Sequence, residues 1–154
     1  MSAAPDLVLS AHDAITFEIP GRLGGKGRPR FRFDKKTQTP RTYTPPETHS
    51  REAEIKWFAA QAMGARPLLT GPVKLTIFIQ KNVPTSWTKK KRARARYVTG
   101  TPDFDNTIKL VCDALNHIVW ANDSQVSDVA FARRYALIGN EFTRITIEPL
   151  GEEP

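Results

Sequence analysis

The sequence predicts one compact α/β domain of the α+β type, in which two or three helices pack on a small mixed β-sheet. Three observations predict this class. A chain of 154 residues that is 40% hydrophobic is long enough to bury a single core without disulfides or structural metals. Segments with the two-residue period of strands alternate with segments of helical period. Neither an internal repeat nor a linker divides the chain.

The boundaries of this domain are predicted at residues 13 and 150. Residues 1–12 contain no Lys or Arg ahead of a short apolar stretch, and no cleavage-site pattern follows that stretch, so they do not match a signal peptide. We expect residues 1–12 to be a disordered leader and residues 13–150 to form the folded domain.

The N-terminal elements are predicted to be short strands followed by a helix. Apolar and polar residues alternate over residues 14–19 before a Pro-Gly pair, which predicts a first, half-buried strand. Residues 30–33 and 41–44 are interpreted as two further short strands around a polar turn. Over residues 45–63, apolar side chains follow helical spacing, and Gly64 stands where a helix would stop, so this segment is predicted to be helical.

Four later segments complete the predicted secondary structure around one further helix. Residues 73–79 alternate strictly after a Gly-Pro pair, which is typical of a core strand. Residues 87–97 are helix-forming but have almost no apolar face, so a helix there needs a polyanion or another partner to order it. Residues 126–135 and 142–147 are predicted to be two closing strands.

The helix predicted to begin at Asp105 has the clearest pattern in the chain. Asp105 is a favourable N-cap residue, and Asn116 is placed to end the helix. Between them, four apolar residues recur at the i, i+3, i+4 and i+7 positions of one helical face: Ile108, Val111, Cys112 and Leu115. We therefore expect this face, including the cysteine, to pack into the core.

Positive charge is concentrated in two segments. The formal net charge is +7. Of the 23 basic residues, eight lie in residues 22–41 and seven in residues 81–97, whereas the two segments together contain only one of the 16 acidic residues. Such segments on an otherwise acidic body favour a groove that binds a phosphate backbone, and a solvated charged face is the plain alternative. The DNA-binding residues predicted from them are Lys26, Arg28, Arg30, Arg32, Lys89, Lys90, Lys91, Arg92, Arg94 and Arg96.

The sequence argues against several classes of function. The Gly-rich stretch at residues 24–30 lacks both the spacing of a phosphate-binding nucleotide loop and a Ser or Thr after Lys26, so no nucleotide cofactor is expected. No apolar run approaches the roughly 20 residues of a membrane span, and the single cysteine, Cys112, cannot form an intrachain disulfide. We expect a cytoplasmic protein with no membrane partner.

Three acidic residues make up a predicted metal site. Asp103 and Asp105 stand two residues apart just before the predicted helix, and in an extended backbone this spacing points both side chains to one side. Asp123 follows the helix at the start of a predicted strand, so a helix-and-back connection can bring it beside the pair. Carboxylate oxygens suit Mg²⁺, for which Mn²⁺ can substitute, and such a metal activates water and offsets charge on a phosphate. Taken singly, Asp105 is better explained as a helix cap, and Asp103 and Asp123 as solvated loop residues; the metal site is inferred from the three acids together.

Lys109 lies one turn after Asp105 on the same predicted helical face, which also carries Asp113. It is a candidate to contact the scissile phosphate or to orient a carboxylate. The alternative is an ordinary salt bridge between residues four apart, which stabilises a helix by about 0.3 kcal/mol.

Three short strings around these acids carry a family resemblance. They are Pro-Asp-Phe-Asp-Asn-Thr-Ile-Lys at residues 102–109, Asp-Ala-Leu-Asn at residues 113–116 and Asn-Asp-Ser-Gln-Val at residues 122–126. Together they resemble the RusA-like family of Holliday junction resolvases. Residues 27–30 and 43–45 are similar to the basic N-terminal region of that family, so the resemblance extends over roughly residues 14 to 147.

This resemblance implies a small homodimeric endodeoxyribonuclease that cuts four-way DNA junctions in recombination and repair, using magnesium bound by acidic residues. On the matching positions, Asp103, Asp105 and Asp123 are the implied catalytic and metal-binding acids, and Lys109 is the implied catalytic lysine. Many relatives carry two consecutive aspartates where this chain has Asn122 and Asp123, and the carboxylate missing here is the first of the two. The family also suggests a bacterial, prophage or phage origin.

The use of the basic segments is left open. In a nuclease, the loop at residues 26–32 and the helix at residues 89–96 would clamp phosphates around the crossover, and Trp87 or Phe31 would stack on an exposed base. Packing of Trp87 against its own domain is the alternative.

Two rival functions remain. One is a non-catalytic nucleic-acid-binding protein, whose acids only cap helices and contact solvent. The other is a nuclease for other branched DNA.

Overall fold

One face of a four-stranded sheet and two helices enclose the core of the protein. The computed structural model describes residues 13–23, 30–34, 36–43, 46–136 and 139–151, and for β2, β3 and residues 46–49 it describes the backbone. In chain order the elements are β1 (Ile15–Pro20), β2 (Arg30–Asp34), β3 (Thr39–Tyr43), α1 (Pro46–Met63), β4 (Val73–Asn82), α2 (Lys89–Arg94), α3 (Phe104–Leu115), β5 (Val126–Ala136) and β6 (Phe142–Pro149). A short 3-10 turn, Asp123–Gln125, directly precedes β5.

The sheet is mixed, as predicted. Its strand order is β1-β6-β4-β5, and β2 pairs separately with β3 as an antiparallel hairpin. β4 and β5 are parallel, whereas β6 is antiparallel to both β1 and β4. Because parallel neighbours need a long crossover connection, the chain between β4 and β5 has room for α2, α3 and the 3-10 turn. The fold therefore places all the predicted catalytic residues on this one connection.

The core confirms the strand and helix periodicities of the sequence. On β4 every second residue from Val73 to Ile79 is buried, and on β1 the same alternation buries Ile15, Phe17 and Ile19. The helices α1 and α3 contribute the other side of this cluster, through residues such as Ile55 on α1. The described residues thus form the single α+β domain that the sequence predicts, with α1 and α3 packed against each other.

The helix predicted over residues 87–97 is only partly correct. The helical part, α2, has six residues, and the Thr88 side chain caps it by accepting a hydrogen bond from the Lys91 amide at 3.2 Å. The segment beyond it leaves the helix and pairs with the free edge of β5, where the Tyr135 amide donates to the Arg96 carbonyl at 2.9 Å. Because α2 has no buried residue, no core packing stabilises a longer helix. The backbone that follows α2 instead pairs with the edge strand β5.

The start of α3 also differs from the prediction. The N-cap residue is Asp103 rather than Asp105, and the helix begins at Phe104. Only Asp103 therefore has an extended backbone, so the expectation that an extended chain aligns the two aspartates is wrong. Both aspartates are suitable N-cap residues, and the helix takes the earlier one. The predicted end of the helix is confirmed, because Asn116 is its C-cap.

Some predictions concern residues outside the described ranges. These are the disordered leader at residues 1–12 and the DNA contacts of Lys26 and Arg28. Within the described ranges, no helix is both long enough and apolar enough to cross a membrane.

Candidate active site

One face of α3 carries a polar stripe that the core holds toward solvent. Asp105, Lys109 and Asp113 follow one another at intervals of four residues, about 6 Å apart along the helix axis. Asp105 and Lys109 are exposed and Asp113 is half-buried. The buried residues of the same helix are Thr107, Leu110, Val111, Cys112, Ala114 and Leu115. Because these six residues fix the rotation of α3, the stripe has one orientation relative to the sheet.

Asp103 occupies the N-cap position of α3 without acting as a side-chain cap. Its backbone is extended, with φ −62° and ψ 148°, but its carboxylate forms no cap hydrogen bond. Its carbonyl oxygen instead accepts hydrogen bonds from the amide of Thr107 at 3.2 Å and from the hydroxyl of Thr107 at 3.4 Å. An aspartate cap ordinarily stabilises a helix by about 1 kcal/mol. The backbone at Asp103 is thus held in place while its exposed carboxylate is not committed to the helix.

β5 holds the loop that carries this carboxylate. Arg133 Nη1 donates hydrogen bonds to the carbonyl oxygens of Gly100, at 3.2 Å, and Pro102, at 2.9 Å. The Arg133 guanidinium also lies 5.6 Å from the ring centroid of Phe131. On the other side of the acid, Phe104 packs against Phe131 with ring centroids 6.2 Å apart. Charge-assisted hydrogen bonds are stronger than neutral ones, so the strand positions the start of α3 from both sides.

The turn that carries Asp123 is built by a reciprocal capping arrangement. Asn122 Oδ1 accepts a hydrogen bond from the Ser124 amide at 2.9 Å, and Gln125 Oε1 accepts from the amides of Ala121 at 3.0 Å and Asn122 at 3.3 Å. Asn and Asp cap a helical turn about equally well. The amide of Asn122 therefore serves as the cap of this turn, a role that an aspartate could also fill.

Gln125 also ties this turn to the segment before β4. Its Nε2 donates to the carbonyl oxygens of Leu69 at 2.9 Å and Gly71 at 3.1 Å. With the two bonds that its Oε1 accepts, the amide forms four hydrogen bonds. Asp123, two residues away, is therefore positioned by contacts with a distant part of the chain.

Replacing Gln125 by glutamate is expected to destabilise the protein. The change keeps the oxygen that caps the turn but removes both donated hydrogen bonds and aims a carboxylate at two carbonyl oxygens. We expect the free energy of unfolding to fall by about 2 kcal/mol and the melting temperature by about 4–8 °C. The control is Gln80→Glu, which loses one bond, to the Asn140 carbonyl at 2.9 Å. Equal melting temperatures for the two variants would contradict the role assigned to Gln125.

The 3-10 turn that carries Asp123 contacts α3. Burial raises the pKa of the Cys112 thiol to about 12, and the negative charges of Asp123 and Asp113 add to this increase. Cys112 is buried, as predicted. At neutral pH the thiol is protonated, so Cys112 is a core residue and not a nucleophile.

The three predicted metal ligands are brought to one helix without forming a closed cage. Asp103 and Asp105 lie at the start of α3, whereas Asp123 lies on the 3-10 turn that contacts the same helix. Within the described residues, no group of three or more His, Cys, Asp or Glu side chains is close enough to hold a metal ion. All three carboxylates are exposed, and an all-oxygen donor set suits Mg²⁺, which commonly uses one or two carboxylates and completes its shell with water and phosphate oxygens. The donor chemistry fits magnesium, and the metal site stays a prediction.

The predicted DNA-binding residues divide into those on α2 and those on β2. Five of them lie on α2, which has no buried residue: Lys89, Lys90, Lys91, Arg92 and Arg94. Arg96 lies just beyond the end of this helix. The predicted residues Arg30, Phe31 and Arg32 lie on β2, where only the backbone is described. The basic residues of α2 are thus presented to solvent together.

Trp87 contacts its own domain, which was the alternative to base stacking. Its ring packs edge-on against Tyr135 with centroids 5.4 Å apart, and Lys91 Nζ lies 4.1 Å from its ring centroid. The side chain is half-buried. These contacts support a packing role for Trp87.

Sequence reasoning missed the residues that position the acids, namely Thr107, Gln125 and Arg133. One signal for Arg133 was available. On β5, Phe131, Arg133 and Tyr135 alternate on the face that continues the buried side of β4, since Ile77 pairs with Phe131 and Ile79 with Arg133. An arginine on such a face needs polar partners, and here those are the carbonyl groups of the acid-bearing loop.

Comparison with known proteins agrees with this arrangement. The family model described as Endodeoxyribonuclease RusA matches residues 20–148. The chain belongs to the RusA endodeoxyribonuclease family. The resemblance predicted from the sequence is therefore confirmed, and the matched range of this RusA-family protein includes Asp103, Asp105, Lys109 and Asp123.

A relative of this RusA-family protein is found in Bacillus subtilis (strain 168). It is described as "Uncharacterized protein YqaN" and is 31% identical over 137 residues, which cover 80% of this chain and 89% of the relative. The similarity thus spans most of both chains and supports a shared fold.

Proposed function

We propose that this protein is a magnesium-dependent, structure-specific endodeoxyribonuclease that resolves Holliday junctions by paired phosphodiester hydrolysis. The observation that carries the proposal is the polar stripe of α3, where Asp105 and Lys109 are held toward solvent by a buried opposite face. Membership of an endodeoxyribonuclease family adds the class of reaction. Asp103 and Asp123, which precede and follow α3 in the sequence, are the other proposed ligands.

The three carboxylates and Lys109 have distinct chemical tasks in this proposal. A bound Mg²⁺ would activate water and stabilise the negative charge that develops on the phosphate. The carboxylates of Asp103, Asp105 and Asp123 hold the cation, with Mn²⁺ as a possible substitute. The Lys109 ammonium, one turn from Asp105, contacts a phosphate oxygen and stabilises the same charge. Arg133 keeps the loop before Asp103 in position.

The positive charge of α2 supplies affinity for the DNA backbone. Its five basic residues and Arg96 lie within eight residues of one another and are interrupted by no acid. Neutralising phosphates with such a cluster releases counterions and gives binding that does not depend on sequence. In the proposed complex these residues contact phosphates around the branch while α3 faces the scissile bond.

The substrate also accounts for a homodimer. A four-way junction has two equivalent strands to cut, and a twofold dimer with the same surface on each subunit presents one site to each strand. We therefore propose a dimer that acts in recombination and repair in the cytoplasm of a bacterium or of a phage-infected cell.

A side-by-side cleavage assay tests this function. The substrates are an end-labelled four-way junction, a flap, a splayed-arm duplex and a linear duplex of the same length, each with Mg²⁺, Mn²⁺ or EDTA. We expect symmetric cuts in the junction with either metal and no cuts with EDTA. Preferred cutting of flaps or splayed arms would assign a different branched substrate. Binding without cleavage of any branch would leave only the non-catalytic nucleic-acid-binding function.

A further inference from the structure

A groove lined by aromatic and basic side chains lies between α2 and the end of β5. Its volume is about 310 Å³, and the lining side chains used below are Trp87, Lys91, Arg94, Arg96, Tyr97 and Tyr135. Three of these are aromatic, three are cationic and none is acidic. Aromatic rings interleaved with cations are the surface chemistry that binds single-stranded nucleic acid, since bases stack on the rings and phosphates contact the cations.

Tyr97 is the most accessible ring of this groove, with 62% of the residue exposed. The Arg134 guanidinium lies 4.7 Å from its ring centroid, and Arg134 Nη1 is held by a hydrogen bond to the Arg133 carbonyl at 2.9 Å. The backbone of Tyr97 forms an antiparallel bridge with Arg134. The backbone of Tyr97 is therefore paired and a cation lies beside its ring, although most of the residue is exposed.

Trp87 and Tyr135, the other two aromatic side chains of the groove, contact each other. Trp87 and Tyr135 pack edge-on, and Lys91 lies over the Trp87 ring at 4.1 Å. Their mutual contacts hold them in place without a ligand. A groove that is already formed costs a ligand little conformational entropy on binding.

The groove and the candidate active site share one strand. Tyr135 lines the groove, and Arg133, two residues earlier on the same face of β5, anchors the loop that carries Asp103. Two residues of a strand span about 7 Å. A nucleotide bound in the groove would therefore lie close to the strand that positions the acidic residues.

We propose that this groove binds an unpaired nucleotide of branched DNA, with its base stacked on Tyr97 and its phosphates in contact with Lys91, Arg94 and Arg96. A base within a duplex has both faces covered by its neighbours, so an exposed ring selects a base that has left the stack. The absence of acids among the lining residues favours a polyanion over a protein partner. The branched nature of the DNA rests on the proposed function.

Fluorescence of 2-aminopurine tests the proposal directly. The probe is a splayed-arm duplex with 2-aminopurine in its unpaired arm, and a linear duplex of equal length is the second probe, both in EDTA so that no cleavage occurs. We expect the wild-type protein to quench the unpaired base. Tyr97→Ala should lose the quenching and weaken splayed-arm binding about tenfold, with little change for the linear duplex. Tyr97→Phe should behave as wild type.

The control is Trp57→Ala, which removes another exposed aromatic residue, 59% exposed on α1. It should leave both affinities unchanged. If Tyr97→Ala bound the splayed arm as tightly as wild type, or weakened linear-duplex binding equally, the proposal would be overturned.

The outcome is separable from that of the proposed function. Should the wild-type protein cut no branched substrate while the Tyr97 variants behave as expected, the nuclease proposal fails and the nucleotide site stands. The reverse result, cleavage without any effect of Tyr97, would remove the nucleotide site alone.

Discussion

Asp105→Asn is expected to reduce junction cleavage by on the order of a thousandfold while junction binding stays equal or becomes tighter. The amide replaces a negatively charged ligand of the proposed cation by a neutral one. The affinity for the junction should not fall, because the change also relieves repulsion between a carboxylate and the DNA phosphates. Single-turnover cleavage of a labelled four-way junction in Mg²⁺ measures the first effect, and gel-shift titration without divalent metal measures the second.

Asp128→Asn is the matched control for this prediction. Asp128 is an exposed aspartate on β5 that pairs with Lys74 of β4 and lies outside the polar stripe. The same neutralisation there should leave the cleavage rate within a few-fold of wild type. An Asp105→Asn protein that cuts as fast as the Asp128→Asn protein would remove Asp105 from the catalytic residues.

Trp120→Ala is expected to lower the free energy of unfolding by about 3–5 kcal/mol. Trp120 is completely buried, and its Nε1 donates a hydrogen bond to Asn116 Oδ1 at 2.7 Å. Its carbonyl accepts the His117 amide at 2.7 Å. The change creates a large cavity and leaves Asn116 without this partner at the end of α3. Urea unfolding followed by circular dichroism measures the loss.

Two further tryptophan variants separate burial from hydrogen bonding. Trp57→Ala removes a mostly exposed ring and should change the unfolding free energy by less than about 1 kcal/mol. Trp120→Phe keeps most of the volume but not the hydrogen bond, so its effect should fall between those of the two alanine variants. Equal unfolding midpoints for Trp120→Ala and Trp57→Ala would show that Trp120 is not a central core residue.

Most of the sheet and both packed helices were predictable because their patterns reflect burial. The alternation at residues 73–79 and the helical spacing at residues 108–115 each mark a face that meets the core, and both faces are buried in the structure. The end of α2 at Arg94, earlier than predicted, could not be read from such a pattern. Residues 95–98 are shaped by pairing with β5, a partner that lies more than 30 residues later in the chain.

The candidate site shows the same division between local and distant causes. Spacing and residue type made Asp103, Asp105 and Lys109 candidates, because all three belong to one short segment, and their roles stay predictions. They did not reveal that the helix begins before Asp105, since Asp103 and Asp105 offered equally good caps. Arg133 and Gln125 act through backbone carbonyl groups 31 to 56 residues away in sequence. Such partners leave no periodic signal.

Binding of Mn²⁺ tests most directly whether the carboxylates at the start of α3 share one cation with Asp123. Isothermal titration of the wild-type protein with Mn²⁺ should reveal a site that is lost or weakened at least tenfold in each of Asp103→Asn, Asp105→Asn and Asp123→Asn, and retained in Asp128→Asn. If the three carboxylates share one cation, Asp123→Asn should weaken binding as much as Asp105→Asn does, although the two residues lie 18 positions apart in the sequence. Unchanged Mn²⁺ affinity in all three variants would contradict a shared metal site.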